Sequence, residues 1–412
     1  MATFPLALTA ILGKPLAYLI FLLIGFAFGF VLESSGFAHS PKLAAQFYFK
    51  DMTVLKVMFT GIIVAMVLIF ASTALGWLDY RLIWVNPTYL WPGIVGGLIM
   101  GVGFIIGGFC PGTSLTALAT LKLDGVFFVL GAFFGIFAFG ETVETFTVWW
   151  HSSYMGRFTL PQLFGVETGW VVLGVVLMAL FMFWGSEQLE KIFGGQDPKQ
   201  APKWRYYGAG ALVVVALAIV MMGQPTTADR WAKIAPEKNF ELDARTYQIE
   251  PIELLHTMHD HKLNLIMLDV RDEADYNMFH IMDAERISTE EIHNRIDEFI
   301  AEPANTVFVV MSNDEANATE VWKTLVAESV HNVYILGGGV NGWLDNFASD
   351  FEADFCGDVK TASNDELRYN FSAALGASCP AAYPPIEDYE EVEYSPKIQL
   401  ELKRAPASGG CG

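Results

Sequence analysis

In the first half of the chain, long runs without an ionisable side chain alternate with short polar connections. These runs occupy residues 15–32, 57–78, 82–121, 168–186 and 206–228, with a shorter one at 125–140. Roughly 20 apolar residues are needed to cross about 30 Å of hydrocarbon, and an ionisable group at the bilayer centre costs several kcal/mol. The pattern therefore predicts six membrane helices. The third run is twice the length of one span and contains Pro87, Pro92 and Pro111. It predicts one full helix over 92–109, a break at Cys110-Pro111-Gly112 and a short helix starting near Thr113. The first run is too long for a cleaved signal peptide, and no small-residue cleavage site precedes Glu33, so it is read as a retained helix.

From about residue 240 the period changes. Short β-rich runs at 265–270 (LIMLDV), 307–311 (VFVVM) and 333–336 (VYIL) read as buried strands, between amphipathic helices expected at 251–258, 289–299 and 316–327. Strands alternating with helices at this spacing imply a small α/β domain with a short parallel sheet. Residues 380–410 are acidic and proline-containing, the composition of an extended, solvated segment. The expected organisation is an α-helical polytopic membrane domain over 1–223, a linker over 224–239 and a C-terminal α/β domain over 240–350. An extension and flexible acidic tail over 351–412 would end in Gly-Gly-Cys-Gly.

Composition sharpens the division. Of the 412 residues 53% are hydrophobic and 17% charged, and the net charge is −20. Residues 1–223 hold 11 Lys and Arg against 10 Asp and Glu, and residues 224–412 hold 14 against 35. An apolar, nearly neutral half is joined to a strongly acidic one, with no basic stripe to meet a phosphate backbone, which excludes nucleic acid as a partner. Lys42, Lys50, Lys122, Lys191, Lys199, Lys203 and Arg205 fall in one set of alternate loops; Lys14, Arg81 and Arg157 fall in the other. That asymmetry puts the first set in the cytoplasm and the C-terminal half outside, although Arg230, Lys233 and Lys238 follow the last run and pull the count back. Four cysteines without a CxxC pair leave only single thiols for chemistry.

The stretch from Gly93 to Ser114, GIVGGLIMGVGFIIGGFCPGTS, carries the candidate chemistry of the membrane half. Gly93, Gly97 and Gly101 are four apart, as are Gly103 and Gly107, giving one helix two smooth faces for close packing. A break at Pro111 and Gly112 inside the membrane is tolerated where the freed backbone faces a protein-enclosed cavity. Thr113 or Ser114 would cap the following helix, whose positive N-terminal end favours an anion. Cys110 adds a soft, polarisable thiol at the same place, which suggests a sulfur-containing anion. Glu33, Glu141 and Glu144 lie at run edges and read as solvated carboxylates at the membrane surface.

The motif GxGFxxGGFCPGTS, with the opening GFAFGFVLESSGF and the following KLAAQFYFKDMTVLKVMFT, resembles the YeeE/YedE family of membrane sulfur-compound transporters over residues 15–145. The resemblance implies a multi-pass protein of the inner (plasma) membrane. Such a protein takes up thiosulfate or a related inorganic sulfur anion through transient S–H to sulfur contacts. Substrate binding would fall to Gly108, Cys110, Pro111, Gly112, Thr113 and Ser114. Cys110 is the one cysteine of the membrane half, and the first repeat offers Ser34-Ser35-Gly36 without a thiol. A relay of several thiols then needs a homo-oligomer.

In the acidic half, Leu268-Asp269-Val270-Arg271, Tyr276, His280-Ile281 and Ala284 resemble the opening signature of a rhodanese-like domain. Residues 333–339 (VYILGGG) with Trp343 resemble the closing one. The strand VFVVM would end in the catalytic cysteine of an active member. Ser312 stands there, followed by Asp314 and Glu315 where glycine and basic residues are usual. A hydroxyl cannot carry a persulfide, and carboxylates repel an anionic donor, so the domain is expected to bind or dock rather than to turn over.

His256, His259 and His261 are read as surface histidines, and neither a metal nor a cofactor is expected. Cys356 and Cys379 offer one disulfide in an extracytoplasmic domain, leaving Cys411 odd; glycine neighbours cannot bury it, which makes it a sulfur-carrier candidate. The leading expectation is a transporter, with a sulfur-carrier or sulfurtransferase protein as partner. Its rivals are a membrane-tethered sulfurtransferase or sulfur carrier using Cys411, and a sulfur-species sensor or scaffold.

Overall fold

The computed structural model describes residues 4–6, 8–83, 85–195, 203–348, 365–371, 373–389 and 391–400. The chain divides into two units that meet between Gln224 and Pro225.

Among the described residues, six helical stretches of the first unit are long and apolar enough to cross a membrane: Ile11–Ser34, Thr53–Ala74, Leu90–Ala119, Leu123–Trp150, Thr168–Gly194 and Trp204–Met222. They are built from the helices α1 (Leu8–Ser34, which starts ahead of the first stretch), α3 (Thr53–Ala74), α4 (Leu90–Gly107), α5 (Pro111–Ala119), α6 (Leu123–Thr142), α7 (Thr147–Trp150), α9 (Thr168–Leu189) and α10 (Trp204–Met222). The short α2 (Ser40–Ala44) and α8 (Leu160–Phe164) lie in the connections.

Two buried clusters hold this unit. Val67 of α3, Val172 and Val176 of α9, and Ala216 and Ile219 of α10 form one. Leu32, Phe37, Ala38, Leu43, Val54, Phe109 and Ala117 form the other. Most remaining large side chains, among them Phe26, Ile106, Phe134 and Phe181, are exposed, as a lipid-facing surface requires. The glycines of α4 depart from expectation. A Cβ built on Gly93, Gly97, Gly101 or Gly103 would meet nothing within 4 Å among the described residues, whereas one on Gly107 would strike Phe128. Only the last of the five packs closely within the protomer.

The second unit begins with α11 (Thr227–Asp243), so the expected linker over 224–239 is largely helix. The reason is local and tertiary together. Thr226 and Asp229 form a reciprocal cap, Arg230 pairs with Glu328, and Trp231 meets Trp322 edge-on at 6.2 Å.

A five-stranded sheet of order β1-β5-β4-β2-β3 follows, every neighbour pair parallel. Its strands are β1 (Gln248–Ile249), β2 (Asn264–Asp269), β3 (Glu285–Arg286), β4 (Thr306–Met311) and β5 (Val333–Leu336). Connections are made by α12 (Pro251–Met258), α13 (Glu273–Met278), α14 (Thr289–Ala301) and α15 (Ala316–Ala327), and α16 (Gly339–Phe347) closes the set. All six residues of β4 are buried, which is why it reads as an unbroken apolar run. The two outer strands are only two residues long and leave no alternation to read.

The extension corrects a second expectation. Over its described residues up to 400 it is docked rather than solvated. Cys379, Ala381 and Ala382 are core residues, and Tyr389, Tyr394 and Ile398 pack against the same core. The buried carboxylate of Glu253 on α12 accepts the amides of Lys397 (2.6 Å) and Ile398 (2.8 Å). Tyr334 of β5 donates its hydroxyl to Gln399 O and receives Gln399 N. Apolar residues spaced among the acidic ones supply the anchoring that net charge conceals.

Candidate functional site

Two interrupted helices converge in the membrane unit. After α1 the chain turns at Gly36 (φ 74°), buries Phe37 and enters α2 with a proline in its first turn. After α4 it turns at Gly108 (φ 68°), buries Phe109 and enters α5, which opens on Pro111. Phe37 and Phe109 lie in one cluster, so the two turns are packed against each other. Gly-Phe followed within four residues by proline is the shared sequence signal. It aligns Ala38, rather than Ser34-Ser35-Gly36, with Cys110. Gly108 is required on two counts. Its φ is left-handed, and a Cβ would come within 3.1 Å of Ser40 Cβ and 3.2 Å of Ser40 O at the head of α2.

The break lies at Gly108-Phe109-Cys110, two residues earlier than expected, and α5 starts at Pro111 rather than near Thr113. Proline at the first helical position loses nothing there, because that amide has no intrahelical partner anyway. The cap is also different. Neither Thr113 nor Ser114 is the N-cap residue; Cys110 is. Thr113 N approaches Cys110 Sγ at 3.5 Å, and Cys110 N donates to Thr113 Oγ1 at 3.0 Å, a reciprocal capping box with a thiol in the usual hydroxyl place. Sγ and Thr113 Oγ1 are 3.3 Å apart. Ser114 donates its hydroxyl to Pro111 O at 2.8 Å.

Thr113 and Ser114 are buried, whereas Cys110 is partly exposed, so the thiol is the reachable group of the motif. It stands at the positive end of α5, the place where a thiolate or an anionic partner is favoured.

Around this point the charges are tied. Lys122 Nζ lies 2.9 and 3.2 Å from the Glu33 carboxylate, so Glu33 is an ion-pair partner rather than a merely solvated acid. Ser40 donates to Asp124 at 2.5 Å, and Lys42 Nζ donates to Ser35 O at 2.7 Å. Glu141 and Glu144 are exposed.

In the second unit β4 delivers Ser312, fully buried, to the loop that leads into α15. Arg271 and Asp269 form a buried pair at 2.6 Å, and Arg271 also reaches Asn313 Oδ1 and Phe279 O. The Ser312 hydroxyl accepts Ala318 N at 3.2 Å. The two loop acids do not point at a common space. Asp314 accepts from Asn341 Nδ2 at 2.9 Å; Glu315 pairs with Arg245 at 2.7 Å and accepts Gly338 N at 2.6 Å. The Glu315 carboxylate raises the pKa of the Arg245 guanidinium. Two further amides, one from the loop and one from the first turn of α15, are taken by Asp365 of the extension: Asp314 N donates to Oδ1 at 2.5 Å and Asn317 N to Oδ2 at 2.8 Å. The sequence gives no cue to Asp365 or Asn341, because both lie far along the chain from the loop they hold: Asn341 in α16, Asp365 in the extension.

Of the histidines, His256 stacks on Tyr394, and His259 packs on Tyr383 while its Nδ1 lies 2.9 Å from Leu255 O; His261 is exposed. Cys379 is a buried free thiol. Cys356 and Cys411, and with them the disulfide and carrier expectations, lie outside the described residues.

Residues 34–243 match the protein family described as sulphur transport, and residues 250–346 match the rhodanese-like domain. The first match begins later than the 15–145 over which the sequence motifs are recognisable, but runs well past 145, through α9 and α10 to the end of α11. No curated protein and no solved structure matches the chain.

Proposed function

The chain belongs to the sulphur transport family and is a multi-pass, sulfur-related membrane transporter with a fused rhodanese-like domain; from that premise we propose that its cargo is a small inorganic sulfur anion, thiosulfate first. The observation that carries this reading is the Cys110 thiol, partly exposed and capping α5 where two interrupted helices meet. Half-helix N-termini favour anions, and a soft thiol discriminates in favour of a sulfane sulfur over an oxygen. Gly108, Pro111 and Gly112 set the turn, and Thr113 and Ser114 fix it, so that the anion meets Cys110 and the first amides of α5.

The rhodanese-like domain is proposed to bind or dock rather than catalyse. Ser312 stands in place of the sulfur-carrying cysteine, is buried, and already accepts Ala318 N. Its partner in that role would be a sulfur-carrier or sulfurtransferase protein that receives the transported sulfur. We place the protein in the inner membrane with this domain outside the cytoplasm. The seven cations of the cytoplasmic set still outnumber Lys14, Arg81 and Arg157 taken together with Arg230, Lys233 and Lys238, by one. Assembly of two or more copies belongs to the same reading. One thiol per membrane half is too few for a relay, and Gly93, Gly97, Gly101 and Gly103 of α4 have no close neighbour among the described residues of the protomer.

The test is uptake of radiolabelled thiosulfate into proteoliposomes. Accumulation above empty vesicles supports the reading. Binding without accumulation favours a sensor or scaffold, and thiocyanate production from thiosulfate and cyanide favours a tethered sulfurtransferase.

A further inference from the structure

The loop between β4 and α15 is built to hold an anion and already holds one. Its amides converge at the head of a twelve-residue helix, where backbone N–H groups and the helix dipole favour negative charge. Asp365 fills that place. One carboxylate oxygen accepts Asp314 N and the other accepts Asn317 N, the two-point arrangement a free oxyanion would adopt.

The fastening continues on both sides of the carboxylate. Asn313 Nδ2 donates to Asp365 O at 2.9 Å, Asn341 Nδ2 donates to Glu366 O at 2.9 Å, and Arg368 N donates to Asn341 Oδ1 at 2.8 Å. Arg368 and Tyr369 reach the two oxygens of Asp345 on α16. Asp365 itself has φ 63°, a left-handed conformation that costs an ordinary side chain energy and that aspartate tolerates better than most. The backbone is thus turned to present this carboxylate to the loop.

We propose that Asp365 is a tethered anion that occupies the loop's oxyanion cradle, closing it to free anions and strapping the extension to the domain. The loop in this form is a latch. A free oxyanion enters only when the Asp365 carboxylate leaves, and residues 365–369 are then held only through Asn313, Asn341 and Asp345. The acids at 314 and 315 do not block the cradle by repulsion; they tie the loop to Asn341, Gly338 and Arg245, while Asp365 does the blocking.

Hydrogen–deuterium exchange of the full-length protein in detergent, followed by mass spectrometry of peptides covering 312–320, reads the cradle directly and is independent of transport. Asp365→Gly removes the carboxylate and suits the left-handed φ; Asp365→Asn keeps size and backbone tolerance but loses the charge. In wild type the loop exchanges slowly, and sulfate at constant ionic strength changes nothing. In Asp365→Gly exchange rises about tenfold or more, as expected for losing a doubly bonded charged acceptor. Added sulfate or thiosulfate then slows it again, with Asp365→Asn intermediate. Peptides from β4 report whether each variant is folded; if the glycine variant is not, the asparagine variant decides. Slowing by sulfate in wild type, unchanged loop exchange in a folded variant, or a variant loop that ignores both anions overturns the proposal.

Discussion

Exchanging the thiol of Cys110 for a hydroxyl separates the two things this residue does. As an N-cap it contributes little, because the Thr113 N to Sγ distance of 3.5 Å is long and sulfur is a weak acceptor. Removing a good hydroxyl cap costs about 0.5–2 kcal/mol, so Cys110→Ala should lose about 0.5 kcal/mol or less of local stability. Cys110→Ser should lose nothing, since serine is a preferred cap and Thr113 N remains in place to donate to it. Transport should behave oppositely. An oxygen is hard and poorly matched to a sulfane sulfur, and losing a contact worth about 1.4 kcal/mol at the limiting step lowers the rate about tenfold. The expected result is a serine variant with wild-type thermal stability in detergent and uptake reduced about tenfold or more in proteoliposomes. The alanine variant should be slightly less stable and equally inactive. If the serine variant takes up thiosulfate at the wild-type rate, Cys110 is a cap and nothing more, and the soft-ligand argument fails.

Three further outcomes are expected. Gly108→Ala forces a Cβ into a left-handed turn against Ser40, a cost of about 1–2 kcal/mol before the clash. Its thermal unfolding in detergent should move down measurably, and an unchanged midpoint would show the turn to be less constrained than its geometry indicates. Ser312→Cys should not yield rhodanese turnover, because the new thiol is buried and the loop amides that would hold a persulfide are engaged by Asp365; substantial thiocyanate from the single mutant would contradict this. Alkylation of the folded protein, read by mass spectrometry, should modify Cys411 faster than the buried Cys379, and equal rates would remove Cys411 from consideration as a sulfur carrier.

Much of the architecture was legible because its signals are long or strongly periodic. Runs free of ionisable residues mark the six membrane helices to within a few positions at most ends. The β4 run VFVVM and the helix at 316–327 are plain from hydrophobicity alone. The sequence signals the membrane break but places it two residues too late. Pro111 reads as a breaker in the sequence, whereas the left-handed turn at Gly108 ends α4 and Pro111 starts α5. The cap fell to Cys110, a residue type not ranked among capping residues, so propensity pointed to Thr113 and Ser114 instead.

The extension was hardest to read. Its acidic composition suggested solvation, but single residues at wide spacing, Cys379, Tyr389, Tyr394 and Ile398, anchor it to the core. Docking through Gln399 also leaves only eleven of the thirty-one residues between Cys379 and Cys411 beyond this anchor, which shortens the reach of a carrier thiol at Cys411. Contacts such as Asp365 with the β4–α15 loop join positions about fifty residues apart and leave no local trace in the sequence.

Thiosulfate differs from sulfate by one sulfur in place of one oxygen, so a competition experiment in proteoliposomes isolates the role assigned to Cys110. Uptake of radiolabelled thiosulfate by the wild-type protein is measured against unlabelled thiosulfate and against unlabelled sulfate at equal concentration. A site built on a soft thiol predicts strong inhibition by thiosulfate and little by sulfate. Equal inhibition by the two anions, or no thiosulfate uptake at all, contradicts it.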